Sequence, residues 1–377
     1  MSRSSPRSRL PLLRAALLAG SAGAGHVLYP LLLGAVSARR HRPEPPPEPE
    51  TWPALTVVVP AYREAGVIAD KVADVRANGY GGPVEIVVVA EDAETACVAR
   101  AAGASVVEPE ERLGKAQAVN RGLAEATTDL VVLTDANNRL ALGSLALIAR
   151  HLLDPRVGAV AGEKVEADAG GEELYWRFES WLKQREWALG TTIGIVGELV
   201  GLRRSAWRPI PGQISSDDLW VALDMNERGH AVAYEPRALA VDPPYEALGH
   251  RWERRTRILA GSLFVFWAKR GLVSRRTPLV AFQIVGHKLW RSTVGPLSHV
   301  ALLALAARHA RHSKLAAAFV AAHAAGIGAL VWQETGRRLP GPVTPVTQVL
   351  YLQGVALGGL GRFLRRDRVL RWTKVAR

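Results

Sequence analysis

Along much of this chain, polar residues fall just past the ends of short apolar runs. LVVLTDANN (130–138) runs Leu130–Leu133 into Thr134, and then into Asp135, Asn137 and Asn138. So short an apolar run reads as a strand buried on both faces. A carboxylate and two amides past its C-terminal end sit where open α/β sheets hold ligands. The same letters also suit a plain turn, because Asp and Asn side chains bond nearby backbone. TVVVPAYREAG brings Pro60, Ala61 and Glu64 to another such end, and VEIVVVAEDAET brings Glu91 and Asp92. RLGKAQAVN sets Lys115 and Asn120 on one helical stretch. ISSDDLW opens a helix with Asp217 and Asp218, which can cap its N-terminus or serve as a base.

Several familiar chemistries lack their residues. Gly114-Lys115 has no P-loop frame, because residue 109 is proline and Ala116 replaces the Ser or Thr that would hold magnesium. GSAGAGHV (20–27) lies inside an apolar run, where small residues serve helix packing. No His/Cys spacing suits zinc. A P-loop enzyme, a dinucleotide-binding dehydrogenase and a zinc enzyme all lose support. The single cysteine, Cys97, excludes an intrachain disulfide and reads as a small core residue at a strand–helix junction.

The elements that would position these groups alternate. LTVVVP, VEIVVVA, GASVVE, DLVVLTD and GAVAG are separated by polar helical stretches, which predicts a parallel sheet with helices on both faces. Residues 15–36 form an apolar run of bilayer-spanning length between arginine clusters, with a cleavable signal peptide as the competing reading. The proline-rich 42–50 follows as a spacer that would hold the next domain off the membrane. Beyond a tryptophan-rich helical stretch at 174–189, residues 279–292 are amphipathic and 294–307 are apolar but short for a span. Residues 316–332 and 343–360 are the better spanning candidates. The positive-inside rule then puts the basic 308–314 loop and the basic tail inside, with Arg337 and Arg338 outside.

The resulting domains are an anchor at 1–42, a linker at 43–53, a catalytic domain at 54–276, interfacial and transmembrane segments at 277–361, and a tail at 362–377. The net charge of +13 suits anionic lipid, a phosphorylated substrate or nucleic acid. A nucleic-acid binder has no use for acids at successive strand ends, so no nucleic-acid partner is expected.

Taken in order, these stretches resemble the family 2 glycosyltransferases over roughly residues 55–261. Gly229, eleven residues after Asp218, and the YEP that follows match that family's acidic segment and favour Asp218 over Asp217 as the base. The apolar flanks look like those of its membrane-bound polysaccharide and glycolipid synthases. The resemblance implies a GT-A fold, Rossmann-like with a mostly parallel sheet. It also implies inverting, metal-dependent transfer from a nucleotide sugar, UDP-linked, to a lipid-linked or polysaccharide acceptor. The expected setting is the cell membrane, multi-pass, with the catalytic domain in the cytosol and membrane lipids as partners.

Residue by residue, the resemblance gives Asp135 and Asn137 a divalent cation, Mg²⁺ or Mn²⁺. Asn137 stands where the family's Asp-x-Asp has its second acid and still offers a carbonyl oxygen. Lys115 would lie near the phosphates, with Asn120 on the same helix. Pro60, Ala61 and Glu64 would cradle the nucleoside, and Glu91 or Asp92 would read the base, Ala90 having replaced the first acid of the usual pair. Arg63 replaces the Asn of the family's Tyr-Asn-Glu. No Gln-x-x-Arg-Trp is present. Arg254, Arg255 and Arg257 fall in its place, either on the diphosphate or as an interfacial basic patch. Trp176, Phe178, Trp181 and Trp187 would stack on an acceptor sugar or sit at the headgroup level. The departures leave a second reading open, a weakly active, nucleotide-sugar-binding accessory subunit of a synthase.

Overall fold

The computed structural model describes residues 6–112, 114–166, 173–212, 214–242, 248–334 and 343–366. The 335–342 loop with Arg337 and Arg338, and the basic tail beyond 366, lie outside the described residues. The chain divides into two compact units. One takes the described residues up to 36, 248–263 and 281–366, and the other takes 37–242 and 264–280.

The first unit opens with α1 (Pro6–Ala24) and α2 (Leu28–Ser37). The run read as one span at 15–36 is thus broken, bent by 54° at residues 25–27.

In the second unit β1 (Leu55–Ala61), α3 (Ala65–Arg76), β2 (Val84–Ala90), α4 (Ala93–Ala101) and β3 (Ser105–Val107) alternate as the sequence predicts. Then come α5 (Lys115–Glu125), β4 (Leu130–Thr134), β5 (Arg139–Leu140), α6 (Ser144–Leu152) and β6 (Val157–Glu166). Next are α7 (Glu173–Ala188), β7 (Leu199–Arg203), α8 (Asp217–Glu227) and β8 (Ala231–Asp242). They make one eight-stranded sheet in the order β3-β2-β1-β4-β7-β6-β8-β5. The β3-β2-β1-β4 half is parallel, and Val57, Val58, Val59, Val131 and Val132 are fully buried in it. Such strands need apolar residues on both faces because helices cover both. β7 runs antiparallel to both β4 and β6, an inversion the alternation of runs did not reveal.

The proline-rich stretch is not a free spacer. The Pro43 carbonyl accepts from Trp187 Nε1 at 3.1 Å, the Pro46 carbonyl from Arg150 Nε at 2.8 Å, and the Pro53 carbonyl from the Tyr80 hydroxyl at 2.7 Å. Prolines donate nothing but keep their carbonyl oxygens, so an extended proline run can be held along a domain by side-chain donors. Trp187 is 4% exposed and serves this packing, which corrects its assignment to an acceptor or a lipid headgroup. Cys97 is exposed on α4 and not a core residue.

The first unit continues with α9 (Leu248–Ala268), whose last residues belong to the second unit. After α10 (Pro278–Gln283) come a π-helical stretch at Ile284–Val294, α11 (Gly295–His309), α12 (Lys314–Glu334) and α13 (Thr344–Leu364). Within the first unit, Trp290 Nε1 donates to the Ser21 carbonyl at 2.8 Å, and the Ser21 and Ser298 hydroxyls are 2.8 Å apart. Among the described residues, Lys314–Gln333 alone is long and apolar enough to cross a membrane by length and composition, or two spans if the bent α1–α2 pair counts as one. The expected span at 343–360 is helical but does not reach that mark. Gln348 and Gln353 interrupt it.

Candidate active site

The cleft opens where β1 and β4 end. Because β7 is antiparallel, Leu199 at its start pairs with Thr134 at the end of β4. The residues before β7 therefore enter the same cleft that the parallel strands reach with their C-terminal ends. Its walls are Pro60, Lys115, Val119, Leu133, Thr134, Asp135, Gly197, Val200, Ile210, Asp217, Asp218 and Val221. Of the sequence-predicted residues it gathers Pro60, Lys115, Asp135, Asp217 and Asp218.

α5 brings Lys115 in at its first residue. Gly114 before it takes φ 83°, a conformation glycine adopts without strain, and its N–H donates to Glu91 Oε1 at 2.8 Å. Gly122 lets the helix lie close on the sheet, since a Cβ there would meet Val58 Cγ1 at 2.2 Å. Lys115 Nζ donates to Asp135 Oδ1 at 2.7 Å, with the two side chains 34% and 30% exposed. Burial works against the Lys115 ammonium, but Asp135 and Asp217 outweigh it and raise its pKa above the ordinary lysine value.

Across the cleft, α8 starts at Asp217 and Asp218, after Ser216 as N-cap. Both acids lie in the first turn, where the helix dipole favours negative charge. Burial, then the Asp217 charge beside it, pushes the Asp218 carboxyl up to about 7. Burial raises Asp217 as well, against the pull of Lys115. A half-buried carboxyl that titrates near neutrality on the wall of a cleft is suited to proton abstraction.

Other sequence-predicted residues have local partners. Ala61 is buried and its carbonyl accepts from the Glu91 N–H at 2.9 Å. Glu64 is buried, and its N–H donates to Thr95 Oγ1 at 2.9 Å. Asp92 caps α4, accepting from the Thr95 N–H at 2.9 Å and from the Arg63 N–H at 2.5 Å. Burial opposes its charge, but those hydrogen bonds hold the Asp92 carboxyl below its usual value. Glu91 holds the Gly114 turn and lies 3.7 Å from Arg112, whose guanidinium covers the Tyr62 ring at 3.9 Å. Asn120 grips a cleft-lining residue: its Nδ2 donates to the Ile210 carbonyl and its Oδ1 accepts from the Ile210 N–H, each at 2.8 Å. Arg254, Arg255 and Arg257 are on α9 in the other unit, where the Arg255 guanidinium lies over the Tyr351 ring at 5.9 Å.

Gly197 and Ile210 escaped the sequence reading, since neither carries a reactive group. Lys71 did too, whereas Asn138 was read as one of the two amides past the strand end but given no role of its own. Only the spacing of Lys71, Asp74 and Asn78 along one helix face, all polar beside buried Ile68, Val72 and Val75, could have signalled Lys71.

Asp135 and Asn137 offer hard oxygen donors at one turn, and the half-exposed Asn137 side chain makes no hydrogen bond among the described residues. No group of three or more His, Cys, Asp or Glu among those residues could hold a metal by itself. A cation held here would complete its shell with donor phosphates and water, which is how Mg²⁺ commonly binds. The pair fits such an ion.

Comparison with known proteins defines the class. Residues 56–208 match the family model for Glycosyl transferase family 2. The chain is 24% identical over 297 residues to an N-acetylglucosaminyltransferase of Rhizobium meliloti (strain 1021), covering 69% of this chain and 68% of that one. It is 26% identical over 165 residues to the poly-beta-1,6-N-acetyl-D-glucosamine synthase of Staphylococcus aureus (strain COL), covering 41% of this chain and 40% of that synthase. Among solved structures, the mannosyltransferase PcManGT from Pyrobaculum calidifontis, in complex with GDP-Man and Mn²⁺, superposes with a TM-score of 0.75 at 24% identity. That match covers 95% of this chain and all of that one. The sheet order and these matches identify a GT-A fold. The protein carries a family 2 glycosyl transferase domain and is a nucleotide-sugar-dependent glycosyltransferase.

Proposed function

We propose that this enzyme transfers a sugar from a UDP-sugar, with inversion at the anomeric carbon, to a lipid-linked or polysaccharide acceptor at the membrane. The observation that carries this reading is the convergence of Lys115, Asp135 and Asp218 on one cleft at the strand ends. Asp218 takes the proton of the acceptor hydroxyl as its oxygen forms a bond to the anomeric carbon. The bond from that carbon to the diphosphate breaks on the opposite face, and the electron pair leaves with the diphosphate. The Lys115 ammonium, held charged by Asp135 and Asp217, meets the negative charge that develops there. A divalent cation held by Asp135 and Asn137 would supply further neutralisation of the leaving group.

Asp217 supports Asp218 by keeping its pKa high. Pro60 and the backbone of Ala61 and Glu64 border the nucleoside, and Glu91 or Asp92 is the acid that meets the base, each also holding local structure, Glu91 at the Gly114 turn and Asp92 at the start of α4. Asn120 acts on substrate indirectly, through Ile210. Arg254, Arg255 and Arg257 serve an interfacial basic patch. The relatives' names favour an N-acetylglucosamine donor. Exposed Leu315, Ile327, Val331 and Trp332 on α12 support its crossing the bilayer, with the bent α1–α2 pair as a further anchor and the catalytic domain in the cytosol, where nucleotide sugars are made.

Release of nucleoside diphosphate by detergent-solubilised full-length protein tests this. UDP-N-acetylglucosamine, UDP-glucose and GDP-mannose would each be offered with and without Mn²⁺, beside extracted membrane lipids. Mn²⁺-stimulated release from a UDP-sugar is expected. Release from GDP-mannose alone would overturn the donor assignment.

A further inference from the structure

α3 grips the chain that follows Asp135 at three successive turns. Lys71, Asp74 and Asn78 stand at i, i+3 and i+7, one face of a helix and its continuation. Asn78 Nδ2 donates to the Ala141 carbonyl at 2.9 Å, and its Oδ1 accepts from the Leu145 N–H at 2.9 Å. Asp74 Oδ2 accepts from the Leu140 N–H at 3.0 Å. Lys71 makes the contact nearest Asp135 in sequence. Its Nζ donates to Asn138 Oδ1 at 2.7 Å, with the Asn138 carbonyl at 3.2 Å and Asp74 Oδ2 at 3.3 Å.

Asn138 is the junction. Its Nδ2 donates to the Glu198 carbonyl at 3.0 Å. The Thr134 hydroxyl lies 3.0 Å from both Asn138 Oδ1 and the Glu198 carbonyl. Thr134 and Asn138 flank Asp135, Ala136 and Asn137, so these contacts close the turn that presents the two oxygen donors. They also tie it to Glu198, the neighbour of cleft-lining Gly197. We propose that Lys71 is a positioning residue of the transfer site, acting through Asn138 to fix the turn that carries Asp135 and Asn137.

A lysine is a costly choice for mere packing. Lys71 and Asn138 are each 2% exposed, and burial, opposed by Asp74, brings the Lys71 ammonium down to about 8. A lone apolar residue would fill the space but could not orient Asn138. Fixing a loop that holds ligands is the work of outer partners in metal and phosphate sites, whose loss lowers affinity while the fold survives.

The inference rests on the reading that Asp135 and Asn137 hold a cation beside a diphosphate. Isothermal titration of full-length, detergent-solubilised protein with UDP in the presence of Mn²⁺, and with GDP in parallel, tests both. Lys71→Met and Asn138→Asp should weaken nucleotide binding about 10- to 100-fold. Asn138→Asp keeps an acceptor for Lys71 but turns the donor to the Glu198 carbonyl into a charged acceptor, so it tests the junction through which Lys71 acts if Lys71→Met does not fold. Asn78→Ala, which loosens the same helix one step beyond the turn, should lower the melting temperature and leave the affinity unchanged. If the first two variants bind as tightly as wild type, or lose no more affinity than Asn78→Ala, the positioning role is overturned. Wild type that binds neither nucleotide would instead overturn the donor reading, and the positioning role with it.

Discussion

Lys115 Nζ donates to Asp135 Oδ1 at 2.7 Å, joining the first residue of α5 to the first residue past β4. About a third of each side chain is open to solvent, so a diphosphate entering the cleft can draw the ammonium toward itself and free the carboxylate for a cation. Lys115→Met is expected to lower kcat/KM about 10²–10³-fold, the range for losing one donor aimed at developing charge. The loss should fall mainly on kcat. Steady-state release of nucleoside diphosphate measures it, and undiminished kcat would remove Lys115 from the leaving-group side.

The Asp218 carboxyl, pushed up to about 7 by burial and by Asp217, must be ionised to act as a base. In the free enzyme kcat/KM should therefore climb as pH rises through about 7 and level off above it. Stability follows the opposite course. A carboxyl whose folded pKa exceeds its ordinary value of 3.8 contributes stability at low pH, and that contribution is lost as pH rises through about 7. Asp218→Asn should lose this part of the pH dependence of the melting temperature, measured without donor or metal. A wild-type rate profile flat from pH 5 to 9 would contradict the assignment.

Arg63 adopts φ 55°, a left-handed conformation that costs a side chain roughly 1 kcal/mol or more. Asn, the residue the related triplet carries here, tolerates that conformation better. Arg63→Asn should stabilise the fold by about 0.5–1 kcal/mol, read as a rise in the denaturation midpoint. A fall would mean that Arg63 side-chain contacts outweigh the backbone strain.

Gly122 lies where a Cβ would stand 2.2 Å from Val58 Cγ1 and 3.2 Å from Val89 Cγ2. Gly122→Ala must lift α5 from the sheet, at a cost of about 1–3 kcal/mol. The same shift moves Lys115 and Asn120, so kcat should fall along with the melting temperature. A variant that is destabilised yet fully active would show that α5 adjusts without moving Lys115.

The strands and their acids were readable because a buried parallel strand has no choice but a continuous apolar run, and a ligand site at its end must be polar. That is why β1, β2 and β4 fell where the letters put them. β7 was hidden because strand direction leaves no mark in LVGLR, and with it went Gly197. Lys71 was hidden for another reason: a lysine on a helix reads as solvated, and only the fold reveals that the site buries it. Trp187 and the proline run misled in a shared way. Each has a common surface role, and their meeting at the Pro43 carbonyl depends on residues 144 positions apart.

The central claim is that Asp218 is the base and not merely a cap of α8. Asp218→Asn keeps the size of the side chain and an acceptor for the Leu219 N–H, and removes the charge and with it the ability to take a proton. Turnover should fall about 10²–10⁴-fold, while Mn²⁺-dependent UDP binding by the same protein remains at the wild-type level. Turnover close to wild type in a folded Asp218→Asn protein would contradict the account.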